Sequence, residues 1–424
     1  MTEHPGVRRS IAGWCLYDTA MSAFNTLVIT FIFSVYFARG VYGDATEGSI
    51  VWADRLALAG LITALLSPVL GSIADRIGRL KPWLAVFTLI TITATALMWF
   101  VEPDAAFVPL ALGLVVVANV SFEFANVFYN AMLPKVAPKG MLGRVSGWGW
   151  AAGYVGGLGC LALALVGFVQ PEEPWFGLSR DSSENVRATV LLVAVWYALL
   201  ALPLFLFSKD APATGVRLGD AVGDGLAVLW STLKQVRRYG NLLRFLIASM
   251  VYRDGLATLF IVGGLYAAGT FAMTETDILV FAIGLNITAA LGAFAFGFLD
   301  DRVGSKRTVL LSLAGLIGLA MPVLLAPDKF WFIGLALGLG LFVGPAQAAS
   351  RSFMARLSPP HMHTEMFGLY ALSGKATVFL GPFLFARLTE AFDSQRAGMA
   401  TIVLFFIIGA VLLLTVRDPA KTPG

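Results

Sequence analysis

The sequence predicts an all-α integral membrane protein of twelve transmembrane helices in two six-helix pseudo-repeats. Three observations carry that expectation. Of the 424 residues 58% are apolar and only 13% charged, against roughly 25% charged in a soluble chain. Apolar stretches long enough to cross a bilayer recur along the whole length. One polar turn is spelled twice, once in each half. A mean hydropathy of +0.80 and 32 phenylalanines give more apolar surface than a soluble fold of this size can hide, so the surplus faces lipid. The same composition excludes disorder and nucleic-acid binding. A formal charge of +4 matters less in such a chain than where the charges lie. Cys15 and Cys160 sit in apolar runs, where a thiol acts as a small hydrophobe, so neither a disulfide framework nor a metal site is expected.

Taken in order, with a ruler of about 20 apolar residues per crossing, the spans of the first half are 11–38, 52–74, 82–101, 106–130, 146–169 and 187–207. The leading MTEHPGVRRS has no apolar h-region or cleavage site, so the first span is kept as a helix. The second half continues with 242–271, 276–299, 307–326, 330–353, 364–389 and 397–416, each bounded by short polar turns. Glycines such as those of GLALGLGLF from Gly334 lie within apolar spans and serve packing, not phosphate binding. Asn119 and Asn286 open sequons inside spans, beyond the reach of glycosylation. His361, His363 and Glu365 share one short connection with too few ligands for a metal, so a solvated loop is expected there.

The longest connection, 208–241, divides a first half, 1–207, from a second, 242–424. Leu218, Val222, Leu226, Leu229 and Leu233 recur in it at helical spacing before Arg237 and Arg238, the pattern of an amphipathic helix on the membrane surface. The N-terminus, the even-to-odd connections and the C-terminus, with their flanks, hold 21 of the 30 Lys and Arg residues. Cytoplasmic loops carry the basic excess, so both termini are expected in the cytoplasm.

The repeated turn reads GSIADRIGRLK from Gly71 and GFLDDRVGSKR from Gly297. Gly71 and Gly297 would let neighbouring helices approach closely, and Gly78 and Gly304 can take the positive φ that ends a helix. Asp75 with Arg76 and Arg79, and Asp301 with Arg302, then stand at a helix end. There an acid can pair with a basic residue or an adjacent helix N-terminus, which makes a gate latch. A weaker echo links Gly147 and Gly153 to Gly368 and Gly374. Two parallel repeats explain both similarities.

With twelve spans, two halves and this turn, the chain resembles the major facilitator superfamily along its whole length. Four stretches are more specific: GWCLYDTAMSAF from Gly13, FYNAMLPKVAPKGMLGRVSGWGWAAGYVGG from Phe128, RRYGNLLRFLIASMVYRDG from Arg237 and SRSFMARLSPPHMHTEMFGLYALSGKA from Ser350. They are similar to the family first labelled "unknown major facilitator", bacterial relatives of the fungal vacuolar amino-acid effluxer. Thr19, Met21 and Arg253 depart from that family's usual residues.

Ionisable groups inside a span cost several kcal/mol unless they face a cavity or a partner, so Asp18, Glu123, Arg253, Asp254 and Lys375 are functional candidates. Asn119, Glu123, Asn126 and Asn130 fall at i, i+4, i+7 and i+11, and Asp18, Ser22 and Asn25 repeat the spacing in the first span. Two such stripes would wall an aqueous path. The resemblance implies that spans one, four, seven and ten line a central cavity, which brings in Gln347. Equally, Asp18 and Asp254 could hold helices together, Asp18 by pairing with a loop arginine. A carboxylate such as Glu123 can take up a proton and release it as a cavity opens, while Arg253, Lys375 and the asparagines could bind a carboxylate or zwitterion.

The expectation is a secondary active transporter for a small polar solute, amino-acid-like by resemblance, with the proton as coupling ion. It would be monomeric, surrounded by membrane lipids in a bacterial inner membrane, and would need no cofactor or nucleic acid. Efflux of amphipathic drugs or lipid-like compounds, and a non-transporting solute receptor, are the alternatives. No nucleophile and base pair or metal-ligand set supports an enzyme.

Overall fold

A computed structural model describes residues 5–418 apart from 211, 213, 218, 224–226, 228–229 and 231–238, and apart from the Glu275 side chain. All regular structure among the described residues is helical. Twelve helices are long and apolar enough to cross a membrane: α1 Pro5–Val41, α2 Ala45–Ile77, α3 Lys81–Phe100, α4 Ala105–Val136, α5 Leu142–Val169 and α6 Glu184–Phe207, then α7 Gly240–Phe271, α8 Thr276–Val303, α9 Ser305–Leu324, α10 Lys329–Leu357, α11 His363–Phe392 and α12 Gln395–Leu414. Helices are the form that satisfies every backbone polar group within one segment in lipid. Several run well past the apolar limits read from sequence. The 33 residues of α2 reach about 50 Å at about 1.5 Å per residue, beyond a hydrocarbon layer of about 30 Å, and the excess is polar.

Five helices depart from α geometry: α3 ends in 3-10 helix over Met98–Phe100, α4 opens with 3-10 helix over Ala105–Phe107, and three others wind or break differently. α1 runs as π-helix over Phe24–Phe31 and Phe37–Val41, and α5 ends in π-helix over Leu165–Val169. α11 breaks into His363–Ala376 and Leu380–Phe392. Pro382 explains the break: it has no amide for the carbonyl four residues back, Val378, and its ring collides there unless the helix restarts. Of the expected amphipathic helix, 219–223, 227 and 230 are helical and Val222 is exposed. Leu218, Leu226, Leu229 and Leu233 lie outside the described residues.

By contact the chain forms two units. The first comprises Met1–Leu66, Gly78–Val136 and Ala152–Gly215. In it α1 packs on α6 and α3 on α4, and Trp14, Tyr17, Tyr129 and Tyr197 are fully buried. The second comprises Ser67–Ile77, Ala137–Ala151 and Val216–Gly424, with α7 on α12 and α9 on α10. First-on-sixth and third-on-fourth pairing therefore recurs in the two sets of six helices. Lysines at the start of the third and ninth helices repeat one another too. Lys81 Nζ donates to the carbonyls of Phe205 and Ser208 at 2.6 and 2.8 Å, and Lys306 Nζ to those of Leu414 and Val416 at 3.0 and 2.5 Å. Each ties a helix start to the end of its six-helix set. Residues 67–77 and 137–151 precede the expected division at 208–241, yet their contacts belong to the second unit. Missing side chains bring them there: a Cβ at Gly71 would fall 2.5 Å from the Thr364 carbonyl oxygen, and one at Gly147 2.4 Å from that of Ala293.

Candidate functional site

In the first unit the polar stripe on α1 meets α4 at Asp18. This carboxylate is 8% exposed and accepts a hydrogen bond from Tyr129 Oη at 3.0 Å; the same hydroxyl lies 3.1 Å from the Trp14 carbonyl, and the Trp14 indole stacks on the Tyr129 ring at 4.4 Å. Ser22 Oγ donates to the Asp18 carbonyl at 2.8 Å, and Gly153 of α5 lies against both side chains. The α-helical spacing that put Asn25 on the same stripe ends at Phe24, where the π-helix begins, and Asn25 is exposed. On α4, Asn119 is buried while Glu123, Asn126 and Asn130 are half-buried, with Asn130 Nδ2 donating to Asn126 Oδ1 at 2.7 Å.

The second unit contributes two of the candidate cations, Arg253 and Lys375. The Arg253 guanidinium lies 4.0 Å above the Tyr370 ring, donates to the Tyr370 carbonyl at 3.0 Å and packs on Gly374. Gly153 and Gly374 thus do one job, each admitting a polar side chain of the first helix of its own set. Lys375 closes the first piece of α11, half-buried. Gln347 is half-buried on α10, one turn before Arg351, whose Nη2 donates to the Ser146 carbonyl at 2.7 Å. Asp254 is buried at 3% exposure.

The turns after α2 and α8 carry the two copies of the repeated sequence. There the two copies of the repeated turn meet helix starts. Asp75 accepts the backbone amides of Thr364 and Glu365 at 3.2 and 2.8 Å, the opening turn of α11. Asp301 accepts those of Gly143 and Arg144 at 2.7 and 3.2 Å, the opening turn of α5, and also Arg144 Nε at 2.7 Å. Carboxylates are favoured at such positions by unpaired amides and the helix dipole. Gly78 and Gly304 close their helices at φ +85° and +93°. Arg76, Arg79 and Arg302 lie exposed; the guanidiniums at the second turn come from Arg144 and Arg356. Arg356 Nη2 reaches Asp300 Oδ1 at 3.1 Å and Asp301 Oδ1 at 3.6 Å, and Asp300 also accepts from Ser305 at 2.7 Å and from Ser352. The stretch expected as a solvated loop around Glu365 is instead the start of α11, with Thr364 and Glu365 at most 1% exposed, because Gly71 lets α2 lie on its backbone.

Sequence reasoning missed Tyr129, Arg144, Asp300, Arg356 and Tyr370. All five stand in quoted motifs, but an arginine at a helix end that pairs with an acid looks the same as one that only orients the chain.

The model of the family described as "Vacuole effluxer Atg22 like" matches residues 43–421. The chain belongs to that family. It is 26% identical over 420 residues to an uncharacterized MFS-type transporter, YxiO, of Bacillus subtilis (strain 168), covering 96% of this chain and 95% of that one. Autophagy-related protein 22 of Saccharomyces cerevisiae (strain ATCC 204508 / S288c) is 24% identical over 389 residues, covering 79% and 71%. Among solved structures, the MFS proton:xylose symporter XylE superposes with a TM-score of 0.75 at 11% identity over 97% of this chain and 96% of that one. The E. coli fucose:proton symporter does so with 0.68 at 13% over 97% and 98%. The fold of this Atg22-like chain is the major facilitator fold, and it is a multi-pass membrane transporter, not an enzyme.

Proposed function

We propose that this chain moves a small polar, amino-acid-like solute across a bacterial inner membrane by alternating access, driven by a proton and working as a monomer with both termini in the cytoplasm. The polar stripe of α4 carries the reading: Asn119, Glu123, Asn126 and Asn130 interrupt an otherwise apolar membrane helix, where polar groups persist only when they serve a pathway or a partner. Glu123 is the proton-exchanging group. Asn126 and Asn130, with Asp18, Ser22, Asn25, Asn119 and Gln347, supply hydrogen bonds to the solute, and the cations Arg253 and Lys375 suit its carboxylate. Asp75 and Asp301 act as latches, holding α11 and α5 in one state and releasing them in the other.

Purified protein in liposomes with an imposed pH gradient tests this with radiolabelled amino acids. Uptake should follow the gradient in the wild type and be lost in Glu123→Gln. Gradient-driven uptake that survives in Glu123→Gln refutes the coupling role. A library in which only amphipathic compounds move would replace the amino-acid reading with drug or lipid efflux. Cysteine-accessibility labelling at both termini in intact cells tests the orientation.

A further inference from the structure

Asp254 on α7 is a carboxylate that the rest of the fold does not account for. It is 3% exposed, and neither carboxylate oxygen has a hydrogen-bond partner. A bare buried carboxylate in a membrane helix is costly and calls for a neutralising cation or proton. Among the described residues, the charged and titratable neighbours on its own helix are engaged with other helices. Adjacent Arg253 is committed to Tyr370 on α11. The Tyr252 hydroxyl is paired with Ser350 of α10 at 2.6 Å. α12 presents the rings of Phe405 and Phe406 to neighbouring Gly255. Lys375 lies on α11 two residues before the break.

What converges on Asp254 is oxygen. A Cβ at Gly381, in the first turn after the break in α11, would fall 1.7 Å from Thr258 Oγ1 and 3.2 Å from Asp254 Oδ1. The carboxylate and the hydroxyl therefore crowd over the same bare backbone position. The Gly381 amide faces the carboxylate without reaching hydrogen-bond geometry. α7 and α11 run in the same direction, as two odd-numbered spans must. Thr377, one turn before Gly381, is thereby level with Asp254, and its Oγ1 is buried without a partner. Interrupted membrane helices that offer oxygens beside a carboxylate are places where small cations bind.

We infer that Asp254, Thr258 and the α11 break at Thr377–Phe379 form a binding site for one monovalent cation, a proton or a sodium ion. A proton converts Asp254 into a neutral acid that donates to a threonine hydroxyl; a sodium ion is met by the carboxylate and hydroxyl oxygens, the ligands hard cations take. The inference builds on the transport reading, in which such a cation is a second coupling ion, but its test reads binding alone.

The test follows the melting temperature of the full-length protein in detergent by tryptophan fluorescence. Sodium chloride replaces N-methylglucamine chloride at constant ionic strength of about 0.1 M, in buffers from about pH 5 to about pH 8. A saturable rise with sodium in the wild type, absent in Asp254→Asn, supports the site with sodium as its ion. No sodium effect, but a melting temperature that rises as pH falls in the wild type relative to Asp254→Asn, supports it with the proton, because the native state then holds a proton more tightly than the unfolded chain. Identical responses of both proteins to sodium and to pH overturn the inference and leave Asp254 as a cap for the second piece of α11. If Asp254→Asn does not fold, Thr258→Val takes its place. Loss of one oxygen ligand should move the midpoint of the response about threefold, and an unmoved midpoint overturns the site. Silence of the amino-acid uptake assay with the same preparation would refute the solute reading and leave a cation response standing.

Discussion

In Asp75→Ala the amides of Thr364 and Glu365 lose the oxygens that hold them at 3.2 and 2.8 Å. A hydrogen bond to a charged group contributes about 1.5–3 kcal/mol. Asp75 is only half-buried, and amides at a helix start can turn to water, so the pair is worth about 2–3 kcal/mol and not twice the single value. At about 1.4 kcal/mol per tenfold, opening of this turn should become about 30- to 150-fold more frequent. Hydrogen exchange with mass-spectrometric readout on peptides covering 362–368 measures that opening directly. The peptide over 141–147, whose amides answer to Asp301, is the internal control and should keep its protection. Exchange over 362–368 that stays within about threefold of wild type would show that the carboxylate does not hold the helix start, and the reasoning would fail. Asp301→Ala should expose 141–147 more strongly, since it also strips Arg144 Nε of its 2.7 Å partner and leaves Arg356 to Asp300 alone.

Three further outcomes are expected. Gly147→Ala, whose Cβ would fall 2.4 Å from the Ala293 carbonyl, should cost about 1–3 kcal/mol and lower the melting temperature, whereas Gly113→Ala, with nothing within 4 Å, should be neutral or slightly stabilising. Arg253→Met should lose about 2–3 kcal/mol of stability, from the stacking on Tyr370 and the charged hydrogen bond to its carbonyl; Tyr370→Phe should stay within about 0.5 kcal/mol, because the ring and the backbone oxygen make both contacts. Lys81→Met and Lys306→Met should loosen equivalent helix ends, and peptides covering 203–208 and 412–417 would show it as faster exchange.

Much of the fold was legible because lipid imposes a simple rule on sequence. Twelve apolar stretches give twelve helices, and two copies of one turn at matching places give two repeats. The pairing of Asp75 and Asp301 with helix starts was foreseeable from chemistry, since a carboxylate at a helix end has few other partners. Their basic neighbours were not. Arg144 and Arg356 sit at helix ends beside connections whose arginines also set orientation, and spacing cannot separate the two duties. Helix ends were set too short because hydropathy stops where a helix leaves the hydrocarbon while its backbone continues. The break in α11 had a signal in Pro382, obscured by the apolar run around it. The π-helical stretches of α1 have no local marker in Phe24–Phe31, where branched and aromatic residues suit either winding.

The two acid contacts exchange roles: the second helix of the first set seats on the fifth helix of the second set, and the second helix of the second set on the fifth of the first. A surface whose donor and acceptor parts lie on one six-helix set but can be satisfied only by another is self-complementary, like the interface of a two-fold dimer. Six helices expressed alone would therefore display both an unseated carboxylate and an unserved helix start. Such a fragment carries the means to pair with a copy of itself, and the tether at 208–241 supplies that copy at high local concentration.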